Sequence, residues 1–262
     1  MTHSKPVALI SGSSSGIGAA SAIRLAQTGH DIVLNFSKNA DGARQTAAAC
    51  EAAGAATCTV GATIERDDDC RRLVAAASDR WGRLDVLVNN AAVTRYVAED
   101  DLDALRTEDF ARIFAVNVAG TFQLTRAASP LLRASPRGAV VNVSSDAALS
   151  ASGSSIAYSS SKAAINNMTL SMARVLAPQV RVNAICPGFA DTTWALAWQS
   201  REDYAKFKDT SAALAPLKVM PTADDVAEAV YWLACKAPCI TGQMLVMDAG
   251  THLTAGTPLD HA

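Results

Sequence analysis

Tyr158 and Lys162 stand four residues apart in the stretch 156–165, and both carry groups able to move protons. On a helix that spacing puts two side chains on one face, one turn apart. An ammonium held beside a phenol favours the phenolate, which lowers a tyrosine pKa from its usual value of about 10. A tyrosine brought toward neutral pH can give or take a proton in catalysis. Alone, the pair is weak evidence, because a Tyr and a Lys at this spacing also make an ordinary solvated helix face. The rest of the chain must supply a ligand site and a reason for this helix to face it.

A second chemical signal lies near the N-terminus. The apolar run from Val7 to Ser11 reads as a buried strand and feeds directly into Gly12, Ser13, Ser14, Ser15, Gly16, Ile17 and Gly18. A strand, three glycines in seven residues, then a helix is the setting in which such a turn cradles a phosphate. Glycine lets the backbone turn tightly and approach a pyrophosphate, and the helix N-terminus offers free N–H groups. The plainer reading is a glycine-containing strand-to-helix turn.

The elements around these two signals alternate. Strands are expected at 7–11, 31–36, 56–60, 84–89, 138–145, 180–185 and 244–247. Between them, helices are expected from Ala19 to Gly29, Ala40 to Ala53 and Asp67 to Arg80. A long helix follows, with Thr107 as its N-cap, through Phe114 and Phe122 toward Leu132. The helix carrying Tyr158 should run to Leu176 and stop at Ala177 and Pro178, and Thr222 with Asp225 forms a capping box for a last helix. This order argues a parallel, doubly wound sheet with helices on both faces. In such sheets the ligand sits at the carboxyl ends of the strands, where Asn89, Ser145 and Pro187 fall.

Composition narrows the class. The 262 residues fit one large α/β domain, with 50% hydrophobic and 18% charged side chains typical of a globular chain. A net charge of −2 without a basic run argues against nucleic acid or an anionic membrane as partner. No secretory segment is expected, since residues 1–7 lack an apolar h-region, and no run is long enough to span a bilayer. Six scattered cysteines without Cys-x-x-Cys spacing read as reduced thiols of a cytoplasmic protein. The histidines at 3, 30, 252 and 261 have no metal-ligand spacing, so no metal is expected.

The stretch 11–18, the run Asn89, Asn90, Ala91 and Ala92, then Asn117, Ser145, Tyr158 with Lys162, and Pro187 with Gly188 resemble the short-chain dehydrogenase/reductase family. They stand in the family's order and spacing, Ser145 lying thirteen positions before Tyr158. The resemblance runs from about Val7 to Leu253. It implies a Rossmann-type α/β fold of about seven parallel strands in a single domain over residues 1–262. The activity implied is hydride transfer between a nicotinamide and a small-molecule carbonyl or secondary alcohol, by a homotetramer. Tyr158 would then be the general acid/base, and Lys162 would lower its pKa and bond the nicotinamide ribose. Ser145, in preference to Ser144, would hold the substrate oxygen, and Asn117 would bind a proton-relaying water. The implied cofactor residues are Gly12, Ser14, Ser15, Gly16, Ile17, Gly18, Thr63, Ile64, Asn90, Ala91, Pro187, Gly188 and Thr192, besides Tyr158 and Lys162.

Cofactor choice has an electrostatic side. NAD users place a carboxylate at the end of the second strand, where it would repel a 2′-phosphate. Here that place holds Phe36, Ser37 and Lys38, with no acid before Asp41, so NADP(H) is preferred and NAD(H) is the alternative. Ser15 stands against this, since many NADP-dependent relatives carry Arg or Lys there. Other departures are Ala92 for a usual Gly, Thr63 for an Asp that contacts adenine, and Ala249 within the usual Asp-Gly-Gly.

Beyond Gly188, Trp194, Trp198, Tyr204 and Phe207 concentrate aromatic rings in a chain with only 5% of them. They suggest a lid over about 189–215 that closes an apolar pocket, or equally a subunit contact. Asp146, Arg95 and Tyr96 are further pocket candidates. The reading that follows is an NADP(H)-preferring carbonyl reductase or alcohol dehydrogenase, similar to 3-oxoacyl-carrier-protein reductases and sugar dehydrogenases. The alternatives are an NAD(H)-dependent alcohol or sugar dehydrogenase and, from another class, a non-catalytic dinucleotide-binding regulator.

Overall fold

Strands β1 (Val7–Ile10), β2 (Asp31–Phe36), β3 (Thr57–Gly61), β4 (Val86–Asn89), β5 (Gly138–Val143), β6 (Val180–Pro187) and β7 (Met244–Met247) form one sheet in the order β3-β2-β1-β4-β5-β6-β7. Every neighbouring pair is parallel. The computed structural model describes residues 5–253, so His3 and His261 lie outside the described residues.

Successive strand residues point to opposite faces, and both faces are covered, so the central strands are apolar almost throughout. Val7 and Leu9 of β1 join Leu87, Val140 and Val182 against helices α3 (Asp67–Trp81), α5 (Thr121–Ala134) and α7 (Ile156–Leu176). Ala8 and Ile10 join Ile32, Leu34, Val88 and Val141 on the other face, under α1 (Gly16–Gln27), α2 (Ala40–Ala52) and α9 (Ala223–Tyr231).

The chain leaves β1 toward β2 and β3 on one side and returns to place β4 on the other. The strand order thus reverses between β1 and β4, where a crevice opens at the carboxyl ends.

β1, β3, β4, β5 and β6 shift by one or two residues from the expected bounds, β5 ending at Val143 before the two serines, and three helix boundaries also differ. Helix α1 begins at Gly16, not Ala19, because Ser15 is extended (φ −168°, ψ 171°) and the glycine turn itself forms the first helical turn. Thr107 is the first residue of α4 (Thr107–Phe114), not its cap; Arg106 caps, its N–H donating to the Asp109 carboxylate at 3.0 Å. The long helix expected after it is interrupted by a π-turn, Ala115–Gly120, centred near Asn117.

Polar side chains also cross the buried layer. Asn89 Nδ2 donates to Thr125 Oγ1 and to Asn142 Oδ1, both at 2.9 Å, and Asn142 Nδ2 donates to Thr169 Oγ1 at 2.8 Å. Thr125 and Thr121 pass the chain back along α5 to the Asn117 carbonyl. This thread ties β4, β5, α5 and α7 together behind the crevice.

Candidate active site

A cleft of about 870 Å³ opens at the carboxyl edge of the sheet. Its floor near β1 is the glycine turn. Gly12 is left-handed (φ +64°), and a Cβ there would come within 2.9 Å of Ala91 Cα. Gly18 lies beneath the cleft, where a Cβ would meet the Gly12 carbonyl at 2.3 Å. Two buried or half-buried amides hold the turn. Asn35 Oδ1 accepts from the Gly12 N–H at 3.0 Å, and Asn90 Nδ2 donates to the Ser11 and Gly12 carbonyls, both at 3.0 Å. The sequence motifs do not include Asn35; its signal in the sequence is a polar residue in a strand of apolar neighbours.

The cleft is lined by Gly12, Ser14, Ser15, Gly16 and Ile17, by Ser37 and Lys38, and by Thr63 and Ile64. Asn90 and Ala91 at β4, then Pro187, Gly188 and Thr192 after β6, complete the expected nucleotide side. Phe36 does not line it; its ring packs on Gly61, with Cζ 3.1 Å from where a Cβ would stand. No carboxylate pairs with Lys38 among the described residues, and Asn39 rather than an acid follows it. Thr63 is held through its N–H and hydroxyl by the Asp69 carboxylate, at 2.8 and 3.1 Å.

These residues fit a bound dinucleotide. The left-handed glycine, the free first turn of α1 and the single groove from Gly16 to Lys38 provide room and donors for a pyrophosphate.

Tyr158, Lys162, Ser145 and Asp146 meet at the β5 end of the same cleft. Ser155 caps α7, accepting from the Tyr158 N–H at 3.2 Å, and thereby fixes where the first turn, with Tyr158, begins. Lys162 is buried and its Nζ donates to the Val143 carbonyl at 2.8 Å, lying 5.5 Å from the Tyr158 ring centre. Burial lowers its pKa to about 8. Burial also pushes the Tyr158 phenol up, with the Asp146 charge acting in the same sense and the Ser145 hydroxyl opposing it. The drop in tyrosine pKa expected from the sequence is therefore absent here, because loss of water outweighs an ammonium that is bonded elsewhere.

Ser144 Oγ is spent on the Lys162 carbonyl at 3.2 Å. Ser145 Oγ faces the cleft, 3.0 Å from Asp146 Oδ1 and 3.5 Å from the Pro187 carbonyl. Asn117 does not line the cleft. Its Oδ1 accepts from the Val93 N–H at 2.8 Å, and its Nδ2 donates to the Val93 carbonyl and Ser161 Oγ, both at 3.0 Å. Its side chain therefore fastens the loop after β4 to α7.

The segment expected to form a lid or a subunit contact consists of a 3-10 turn, Thr193–Ala197, and helix α8 (Arg201–Leu214). Asp191 anchors it, accepting from Tyr204 Oη at 2.8 Å and pairing with Lys208, while Phe189 packs edge-on against Phe207 at 4.6 Å. Trp194, Trp198 and Phe207 line the cleft and Tyr204 does not. Trp198 stacks parallel to Tyr96 at 6.1 Å and meets Trp194 at right angles at 6.3 Å. Arg95 turns away and pairs with Asp109.

A family profile described as enoyl-(acyl carrier protein) reductase matches residues 12–252. A Streptomyces violaceoruber protein of the granaticin polyketide synthase, assigned as ketoacyl reductase 2, is 42% identical, covering 95% of this chain and 96% of its own. A 3-oxoacyl-(acyl-carrier-protein) reductase from Synechocystis is 32% identical over 93% of this chain and 96% of its own. A solved structure described as a short-chain dehydrogenase/reductase from Burkholderia xenovorans superposes with a TM-score of 0.89 at 41% identity, over 95% and 99% of the two chains. The chain belongs to the short-chain dehydrogenase/reductase family. It is an oxidoreductase of the kind that works on keto and CH–OH groups.

Proposed function

We propose that this protein is an NADP(H)-preferring reductase of ketones, built as one catalytic domain and working reversibly on the corresponding secondary alcohols. The observation that carries this reading is the convergence of Tyr158, Ser145 and Lys162 at one end of a cleft whose other end is the glycine turn. When bound, the cofactor supplies the hydride. The Ser145 hydroxyl holds the carbonyl oxygen against Tyr158, and Tyr158 Oη gives that oxygen its proton. Lys162, on the same helix face and charged below about pH 8, orients the ribose and supports the phenolate left behind. Asn117 positions Val93 and α7 around the pair.

Ser37 and Lys38 favour a 2′-phosphate, a hydroxyl and an ammonium without a carboxylate partner among the described residues standing where a carboxylate would repel one. Relatives named as 3-oxoacyl-(acyl-carrier-protein) reductases support a keto substrate. The same reading takes the protein as a cytoplasmic homotetramer, which its free cysteines and the exposed Phe122, Leu149, Leu170 and Val175, a surface for an assembly to cover, support.

The test is NADPH-dependent reduction of a ketone panel by the protein and its Tyr158→Phe variant. Turnover should fall about 10²–10⁴-fold in the variant while NADPH still protects the fold against heat. A variant with full turnover would remove Tyr158 from the mechanism.

A further inference from the structure

Five charged residues line the cleft: Lys38, Glu65, Arg112, Asp146 and Lys162. Four have a use. Glu65 and Arg112 pair with each other at 2.6 Å, Lys162 bonds the Val143 carbonyl, and Lys38 sits at the β2 end with the nucleotide residues. Asp146 is different. It stands beside Ser145 at the β5 end, and among the described residues no Lys, Arg or His pairs with it. A second carboxylate, Asp248, acts on it by charge repulsion and is itself taken up by His252 and the Gly250 N–H. This half-buried carboxylate accepts from the Ser145 hydroxyl and from backbone N–H, and without a cation it gains from a further donor brought to it.

Its placement defines which donor. One carboxylate oxygen lies a single hydrogen bond from Ser145 Oγ, the hydroxyl assigned to the substrate carbonyl. A donor on the carbon next to the carbonyl falls within its reach. The rest of the substrate end is aromatic: Tyr96 from the loop after β4, and Phe189, Trp194 and Trp198 from the segment after β6. Those segments flank β5 in the sheet order, and their rings meet where Tyr96 stacks on Trp198.

We infer that Asp146 is a specificity-determining residue, selecting ketones that carry a hydrogen-bond donor, hydroxyl or ammonium, on the carbon beside the carbonyl and rejecting those with a carboxylate there. This rests on the reductase reading above and adds the substituent that the site selects.

Four aryl ketones that differ only at that carbon test it: 2-hydroxyacetophenone, protonated 2-aminoacetophenone, propiophenone without a donor, and anionic phenylglyoxylate. With NADPH, kcat/KM for at least one donor-bearing ketone should exceed that of propiophenone by about tenfold or more, as a hydrogen bond to a charged group implies. Phenylglyoxylate should be the poorest. Whichever of hydroxyl and ammonium leads identifies the donor. In Asp146→Asn the ammonium compound should lose at least tenfold relative to propiophenone and phenylglyoxylate should gain; Asp146→Ser serves as the second variant. Propiophenone matching both donor compounds, or ratios unchanged in both variants, would overturn the assignment. The same four compounds are also titrated into NADP⁺-loaded protein by tryptophan quenching. If none is reduced, the reductase reading falls, and the binding order still decides for or against Asp146.

Discussion

An ammonium and a phenol share the base of the cleft at Lys162 and Tyr158, and burial draws both toward their neutral forms. The unfolded chain holds the Lys162 proton to about pH 10.5, whereas the folded chain releases it near pH 8. Between those values the unfolded state binds more protons, so this residue adds stability as pH rises through the window. Below pH 8 its penalty is present in full, on the order of 3 kcal/mol at about 1.4 kcal/mol per pKa unit. Urea titrations of the parent and of Lys162→Met should show the parent gaining on the variant by about that amount between pH 8 and 10.5. A difference that stays flat with pH would mean Lys162 is solvated in the folded chain. At this scale the sequence was informative about which residues meet, since Tyr158, Lys162 and Ser145 all line one cleft. It was silent about what each bonds: Asn117, Asn90 and Asn35 spend their amides on backbone groups of segments far away in the chain. Partners so remote leave no spacing to read.

Elements were legible wherever period and punctuation agreed. β2 and β7 fall where the apolar runs place them, and the Thr222 box opens α9 with both of its hydrogen bonds made. The π-turn at 115–120 was not, because its apolar pattern still reads as continuous helix. Nor was helix α8, which has no fully buried residue and so no strong apolar stripe. The asparagine–threonine thread behind the cleft was likewise hidden, as Asn89 and Asn142 look like isolated polar breaks in two apolar strands. Asn142→Ala should cost about 2–3 kcal/mol, since it strips partners from Asn89 and Thr169 inside the core. Chemical denaturation measures this, and a loss below about 0.5 kcal/mol, the level of ordinary surface changes, would show that the thread contributes nothing.

For the whole molecule the decisive property is one groove shared by two halves of the sheet, from Lys38 beyond β2 to Trp194 beyond β6. A ligand bridging that groove stabilises the folded chain by mass action, by about 2.7 kcal/mol at a hundred times its dissociation constant. NADPH should therefore raise the melting temperature more than NADH at equal concentration, and Lys38→Ala should narrow the gap. A larger shift with NADH would instead assign the end of β2 to an unphosphorylated ribose. The same samples, sedimented, report whether the exposed apolar side chains of α5 and α7 are covered in a four-chain assembly.

The Asn89–Asn142 contact has a consequence for how the chain chooses among near-native pairings. β5 is buried along its whole length, so its apolar residues would satisfy either face and do little to fix alignment with β4. The two asparagines are direct partners across those strands. A slip by one residue would turn Asn142 to the opposite layer and leave two amides without mates in a dry interior. The contact thus works as a proofreader: besides its share in the depth of the native well, it raises the neighbouring wells that an all-valine strand would leave open.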